Sequence, residues 1–191
     1  HLAQSIRNRV LPKETNAYRL INGPGDDLPG LVVDRYGHLA VLRLYGRCWD
    51  PWIDAILDAL ESLDGITQIY RRFGVRRVDG KKGGEALSGG DPPESLIVSE
   101  YGLKFIVRPQ SGQKTGLFLD QREHRRFLGQ RSRDLRVANL FAYTGGFSVH
   151  AAAGGAKRVC TVDIAPLAIE DAKINFKLNG IAVSYTHLRA H

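Results

Sequence analysis

Three blocks between Ser111 and Asp163 have the residue types and spacing to hold a nucleoside. The first is Gly112-Gln113-Lys114-Thr115-Gly116-Leu117-Phe118-Leu119-Asp120-Gln121-Arg122. The second, Asn139–Phe147, carries Phe141 and the run Tyr143-Thr144-Gly145-Gly146; the third is Thr161-Val162-Asp163. The last two read as strand, glycine turn, helix, strand, acid. At such a turn the first N–H groups of the helix lack intrahelical partners, and glycine lets a ligand reach the backbone. A carboxylate at the end of the next strand can accept both hydroxyls of a ribose. The turn lacks the G-x-G-x-x-G spacing, which counts against a dinucleotide pyrophosphate. Two plainer readings stay open at this point. The glycines can make a tight turn with no ligand, and Asp163 can cap the helix that Pro166 opens, a role compatible with ribose binding.

The Gly112–Arg125 block is weaker evidence when judged by spacing alone. Lys114-Thr115 suggests a triphosphate loop, but Gln113 and Arg108 stand where that pattern needs glycines. Asp120 can cap the following helix with Glu123 completing a capping box. Arg122, Arg125 and Arg126 can be a solvated face. The pairs Arg71-Arg72, Arg76-Arg77 and Lys81-Lys82 suit phosphate contacts or a merely soluble loop. Cys160 reads as core, Cys48 has no evident partner, and His124 and His150 are isolated, so no metal is assigned.

These residues need elements to position them. Tyr18–Asn22, Gly30–Tyr36 and His38–Tyr45 read as short strands separated by Gly, Asp and Pro turns. Asp50-Pro51 reads as the cap and first position of a helix whose apolar face is Trp52, Ile53, Ile56, Leu57, Leu60 and Leu63. Ile66–Arg71 is a further strand, 72–94 a glycine-rich charged loop, and 96–100 with 103–108 a hairpin around Tyr101-Gly102. From Ser111 onward strands and helices alternate: a basic helix to about Gln130, strand 137–141, helix 146–153, strand 158–162, and a helix from Pro166 to Asn179 stopped by Gly180. That alternation means βαβ units on a parallel sheet. There are no internal repeats.

The 191 residues allow one domain or two small ones. With 43% hydrophobic and 25% charged residues the chain is globular material. Lys+Arg 27 against Asp+Glu 20 gives a formal net charge of +7, which favours polyanions such as nucleic acid. Two distant cysteines make neither a disulfide framework nor a zinc pair and fit a reducing, cytoplasmic setting. No apolar run reaches the roughly 20 residues of a membrane span, and no signal peptide is present. The chain holds no methionine and opens within a helix-like stretch, Leu2–Val10. Its last stretch, 183–191, breaks the preceding pattern. It resembles translated adapter read-through and is set aside as a suspected non-native tail, with a natural loop as the alternative.

Taken together, the motifs resemble the bacterial 23S rRNA cytosine-C5 methyltransferases that use S-adenosylmethionine. The resemblance runs from about Leu2 to Ile181. It is carried by Asn16-Ala17-Tyr18-Arg19-Leu20-Ile21-Asn22-Gly23, Leu28–Gly37, Gln113–Arg122, Leu140–Gly155 and Asn175–Gly180. It implies residues 1–15 as the exit helix of an N-terminal RNA-binding PUA domain, a small α+β module over 16–100, and the first part of a Rossmann-like class I methyltransferase domain over 101–182. The fold class is thus α/β: an incomplete Rossmann-like methyltransferase domain preceded by a small α+β module. It assigns Lys114, Thr115, Phe118, Asp120 and Arg122 to the methionine end of the cofactor, Phe141, Tyr143, Thr144, Gly145 and Gly146 to its turn, and Asp163 to its ribose.

The family's Asp-Pro-Pro motif has no counterpart in the expected place, because Asp91-Pro92-Pro93 lies in the first module. Its nucleophilic cysteine matches neither Cys48 nor Cys160, so no catalytic residue is assigned. The resemblance implies methylation of a ribosomal RNA base, with weak cofactor binding and no turnover expected of these 191 residues alone. The alternatives are a guanine-N7 rRNA methyltransferase and a non-catalytic RNA-binding protein on the same scaffold.

Overall fold

A computed structural model describes residues 13–73, 83–182 and 186–189, the last as backbone only. The helix expected at Leu2–Val10 and the cations Arg76, Arg77, Lys81 and Lys82 lie outside the described residues. The chain forms two compact units, His1–Val98 with Val107–Leu119, and Ser99–Ile106 with Asp120–His191. One boundary at 100–101 was expected from sequence. Instead the tip of the 96–107 hairpin joins the second unit and the segment after it returns to the first.

The first unit is a five-stranded sheet in the order β1-β2-β3-β4-β5, built from β1 (Ala17–Asn22), β2 (Leu31–Tyr36), β3 (Leu39–Leu44), β4 (Gln68–Arg72) and β5 (Gly84–Ser88). Neighbours are antiparallel except β3 and β4, which run parallel because α1 (Ile53–Glu61) crosses between them. Alternate strand residues point to the helix side, so Leu20, Leu31, Val33, Ala40, Leu42 and Ile69 pack on Ile56 and Leu60 in one core.

Two expectations fail here. Asp50 does not cap α1: residues Arg47–Trp52 form a 3-10 turn first, Trp52 occupies the cap position, and the Asp50 carboxylate accepts Arg71 at 3.2 Å instead. The expected loop 72–94 contains β5, which exists because its backbone pairs with β4. Its glycines reflect that closeness. A Cβ on Gly84 would lie 2.4 Å from the Tyr70 ring.

Within this unit the segment Val107–Leu119 is tied to β2. Asp34 and Tyr36 share a strand face, and Thr115 donates to the Asp34 carboxylate at 2.6 Å while sharing a 2.8 Å hydrogen bond with the Tyr36 hydroxyl. The Leu117 N–H donates to that same Tyr36 oxygen at 3.2 Å. Arg19, opposite Asp34 in register, neutralises the buried carboxylate through a 2.8 Å ion pair. Buried polar groups persist only when paired in this way.

The second unit holds a parallel sheet in the order β10-β9-β8, from β8 (Arg136–Leu140), β9 (Arg158–Val162) and β10 (Thr186–Arg189). Three helices accompany it: α2 (Arg122–Gln130), α3 (Gly146–Ala153) and α4 (Pro166–Leu178). β10 falls in the stretch set aside on sequence grounds. It takes the third position of the sheet because α4 returns the chain alongside β9, as a βαβ crossover does. The capping box expected at Asp120 is not formed. Gln121 is the cap residue of α2, and Glu123 accepts the Tyr101 hydroxyl and Arg122 Nε.

The hairpin strands β6 (Leu96–Glu100) and β7 (Leu103–Val107) turn at Tyr101-Gly102 as expected. Buried Asn175 and its neighbour one turn on, Asn179, take over hydrogen bonding along β7. Asn175 accepts the Ile106 N–H at 2.7 Å, and Asn179 brackets the Lys104 N–H and carbonyl at 2.8 Å each.

Candidate cofactor-binding site

The site in the second unit is built where β8 and β9 end. Leaving β8, the chain adopts left-handed conformations at Phe141 (φ 57°), Tyr143 (φ 50°) and Gly145 (φ 73°) before α3 begins. Left-handed backbone costs an L-residue about 1–2 kcal/mol. Two non-glycine residues held there mark a bend whose shape is imposed by its surroundings. Three contacts impose it. The Ala142 N–H donates to the Val162 carbonyl at 3.0 Å. The Asp163 carboxylate accepts the Tyr143 N–H at 2.7 Å and the Ala165 N–H at 2.9 Å. Asn175 donates to the Thr144 carbonyl at 2.8 Å.

Both expected glycines are required, and the fold supplies the reason. A Cβ on Gly145 would sit 3.0 Å from Ala172 of α4, and one on Gly146 would sit 2.9 Å from the Arg125 side chain of α2. The glycines therefore let two helices close on the bend. Gly129 of α2 lies against the His150 backbone and Gly154 at the far end of α3. Since Arg125 lies at the start of α3 and Gly129 near its end, α2 and α3 run in the same direction. Asp120 and Arg122, at the start of α2, thus stand at the end of the unit where the bend lies. Arg122 lends its Nε to Glu123 at 3.1 Å.

Beneath the bend lies a buried charged cluster. Arg125 reaches both Glu100 oxygens, at 2.8 and 2.6 Å, and His150 Nε2 meets Glu100 at 3.0 Å while its ring stacks on Phe105. Burial opposes ionisation of Glu100. The hydrogen bonds from Arg125 and His150 outweigh it and hold the carboxyl below its ordinary 4.5. His150 is therefore a core residue. Among the described residues no group of His, Cys, Asp and Glu could hold a metal. Cys160 is half-buried and Cys48 exposed.

Of the sequence-derived site residues, the structure brings Phe141, Tyr143, Thr144, Gly145, Gly146 and Asp163 together. Lys114, Thr115 and Phe118 belong to the first unit. There Thr115 is buried and engaged with Asp34 and Tyr36, and Lys114 stacks over the Phe118 ring at 4.5 Å. Phe141, named from the sequence, is 90% exposed, but sequence reasoning missed three other exposed apolar residues near the acid: Leu140 (62%) at the end of β8, Ile164 (76%) just after Asp163, and Leu167 (48%) in the first turn of α4. An exposed apolar group of this kind beside a hydrogen-bonding carboxylate marks a ligand surface. The available signal was an isoleucine directly after Asp163, where the apolar strand pattern should already have ended. Asn175 was missed too, as the tie between bend and β7.

The arrangement fits an adenosine. Each Asp163 oxygen has one backbone N–H and a further lone pair, and the half-buried residue can be reached by ribose hydroxyls. No side chain caps α3, so its leading N–H groups stay available. The Thr144 hydroxyl is buried without a hydrogen-bond partner among the described residues, a deficit lying within the bend itself.

A family model described as S-adenosylmethionine-dependent methyltransferase matches residues 65–191. A Deinococcus radiodurans protein named Ribosomal RNA large subunit methyltransferase is 39% identical over 171 residues, 87% of this chain and 42% of its own length. The Erwinia tasmaniensis Ribosomal RNA large subunit methyltransferase I is 37% identical over 191 residues, 98% of this chain and 48% of its own. The chain spans somewhat less than half the length of these curated relatives. Among solved structures, a Streptococcus mutans protein described as a SAM-dependent methyltransferase aligns with a TM-score of 0.87 at 29% identity, covering 100% of this chain and 50% of that one. Another, described as a methyltransferase complexed with SAH, aligns at 0.83 and 31%, covering 94% and 46%. Matched from residue 65 onward and carrying a Rossmann-like strand–bend–helix–strand whose acid faces the bend, the chain belongs to the S-adenosylmethionine-dependent methyltransferase family.

Proposed function

We propose that this chain carries the cofactor-binding part of a cytoplasmic enzyme that methylates a base of large-subunit ribosomal RNA, namely cytosine C5 of 23S rRNA. The observation that carries the reading is the Asp163 carboxylate bonded to the Tyr143 N–H amid exposed Leu140, Phe141, Ile164 and Leu167. The names of the relatives at 37–39% identity supply the RNA class, and the net charge of +7 agrees with a polyanionic substrate.

In this reading Asp163 accepts the ribose hydroxyls, and the apolar rim around it takes the flat adenine face out of water. The leading N–H groups of α3 face the ligand, with Asn175 and Arg125 holding the bend that presents them. When bound, S-adenosylmethionine supplies an electrophilic methyl on a sulfonium. The resemblance assigns Lys114, Thr115, Phe118, Asp120 and Arg122 to the methionine end, and these keep that assignment here. Fixing donor and target in line supplies much of the rate of such a transfer, and the target base must leave its stack to reach it. Neither cysteine of this chain is given the role of the thiolate that adds to cytosine C6.

The test is calorimetry with S-adenosylhomocysteine, which reports the cofactor site without RNA or turnover. Saturable binding that Asp163→Asn weakens supports the reading. Absence of binding by the folded chain contradicts it. A guanine-N7 enzyme would bind the same ligand. Mass mapping of methylated rRNA from cells carrying the full gene separates the two bases.

A further inference from the structure

The end of the second unit opposite the bend is a cationic surface that cofactor binding leaves unused. Arg136 and Arg158 open β8 and β9 and are direct partners in the parallel register. Lys157 precedes Arg158 and is tied by its N–H to the Leu135 carbonyl at 2.8 Å. Arg131 and Arg133 lie in the turn between α2 and β8, and a Cβ on Gly155 would touch Arg133. All five side chains are exposed, and among the described residues no carboxylate forms an ion pair with any of them.

This crowding costs stability. Like charges placed directly opposite on neighbouring strands repel, and among the described residues no carboxylate pairs with Arg136 or Arg158. Next to the patch, and sharing Arg133 with it, is an open depression of about 510 Å³ lined also by Tyr101, Arg126, Gln130 and the Gly154-Gly155 turn. That volume lies in the range of small-ligand sites. Arg131 stacks over the Phe127 ring at 3.5 Å, and both Phe127 (55%) and Leu135 (53%) are exposed. Arginine rather than lysine predominates, and its planar guanidinium suits phosphate oxygens. The strand length of five residues sets this surface roughly 15 Å from the bend, on the amino ends of the strands. Cofactors of such sheets bind at the carboxyl ends, so the patch is separate from the cofactor site.

We propose that this surface binds the phosphodiester backbone of RNA, with Arg136, Arg158, Arg131, Arg133 and Lys157 contacting phosphates around the Arg126–Arg133 depression. The choice of RNA over other polyanions rests on the function proposed above. The cationic geometry does not. Such contacts anchor and orient the substrate without reading its sequence.

The test is fluorescence anisotropy of a labelled RNA hairpin of about 20 nucleotides titrated with the whole chain over a range of KCl. The double variants are Arg136→Gln/Arg158→Gln and, independently, Arg131→Gln/Arg133→Gln. The control, Lys173→Gln/Lys177→Gln, removes the same charge from exposed positions of α4. Each patch variant is expected to weaken binding about tenfold or more near ~0.1 M salt and to lower the log–log salt slope by about two. The α4 control should change affinity less than about twofold. Melting should not fall in Arg136→Gln/Arg158→Gln, because a repulsive pair is relieved.

Patch variants indistinguishable from the α4 control overturn the proposal. A DNA duplex bound as tightly and with the same loss overturns its assignment to RNA. S-adenosylhomocysteine binding, measured on the same samples, should be unchanged in all variants. Its absence in the parent chain would count against the cofactor reading and leave this result standing on its own.

Discussion

The carboxylate of Asp163 accepts the backbone N–H of Tyr143 at 2.7 Å, so the acid ending β9 is bonded to the bend ending β8. These residues are 20 apart in sequence and follow directly on the ends of two adjacent parallel strands. The bond holds Tyr143 left-handed while leaving lone pairs for a ligand. A dedicated loop brace could use a backbone acceptor; a half-buried carboxylate framed by exposed apolar residues has further capacity.

Ile164 separates binding from stability. Its side chain is 76% exposed, so Ile164→Ala should change unfolding free energy by less than about 0.5 kcal/mol. If it covers adenine, the same change should weaken S-adenosylhomocysteine about tenfold, from lost apolar burial. Calorimetry beside denaturant melts checks both. Equal affinity with equal stability would remove Ile164 from the site.

Gly154 should tolerate no side chain. A Cβ there would lie 1.9 Å from the Gly129 carbonyl, backbone against backbone, where neither helix end can yield cheaply. Gly154→Ala is expected to cost about 1–3 kcal/mol by overpacking, read as a lower urea midpoint. An unchanged midpoint would mean α2 and α3 are further apart than the structure has them.

The Glu100–Arg125–His150 cluster makes stability depend on acid. The folded pKa of Glu100 lies below its ordinary 4.5. Its contribution is therefore complete above that value and disappears as pH falls through the folded pKa. Thermal melts from about pH 6 to about pH 3 should show the midpoint dropping below about pH 4.5. Glu100→Gln should flatten that acid limb. It should also cost about 3–5 kcal/mol at neutral pH, since Arg125 is left buried without its anion.

Asn175 and Asn179 make parallel contacts with different consequences. Asn175 is fully buried and holds the Thr144 carbonyl as well as the Ile106 N–H, whereas Asn179 contacts Lys104 and its own helix. Asn175→Ala should cost about 2 kcal/mol or more, because two buried groups lose their partner, and should weaken S-adenosylhomocysteine binding. Asn179→Ala should cost less and leave the affinity unchanged. Urea melts and calorimetry on the pair decide it.

The second unit was legible where local pattern and tertiary role coincide. α3 begins at Gly146 because Gly145 is the last left-handed residue, and β9 ends at Val162 because Asp163 turns to the bend. The first unit was less legible where partners decide. β5 is invisible in a glycine-rich stretch because β4 supplies its hydrogen bonds and the closeness that demands Gly84. Asp50 and Asp120 both matched capping patterns, yet the carboxylates that would have closed those caps serve Arg71 in one case and Tyr101 with Arg122 in the other. Capping signals are local, and a nearby arginine or tyrosine hydroxyl competes for the same oxygen. The roles of Ile164 and Asn175 were hidden for a related reason: exposure and hydrogen bonds across about 30 residues are properties of the folded unit alone.

The most direct measurement is titration of the chain with S-adenosylhomocysteine, comparing the parent with Asp163→Asn. Asparagine keeps an oxygen for one backbone N–H but loses the charge and one acceptor, so melting serves as the check that the bend survives. Saturable binding by the parent and a loss of about 10- to 100-fold in the variant are expected, the scale of hydrogen bonds to a charged group. Equal affinity in the two folded proteins would contradict it, because the adenosine would then be held somewhere other than beside Asp163.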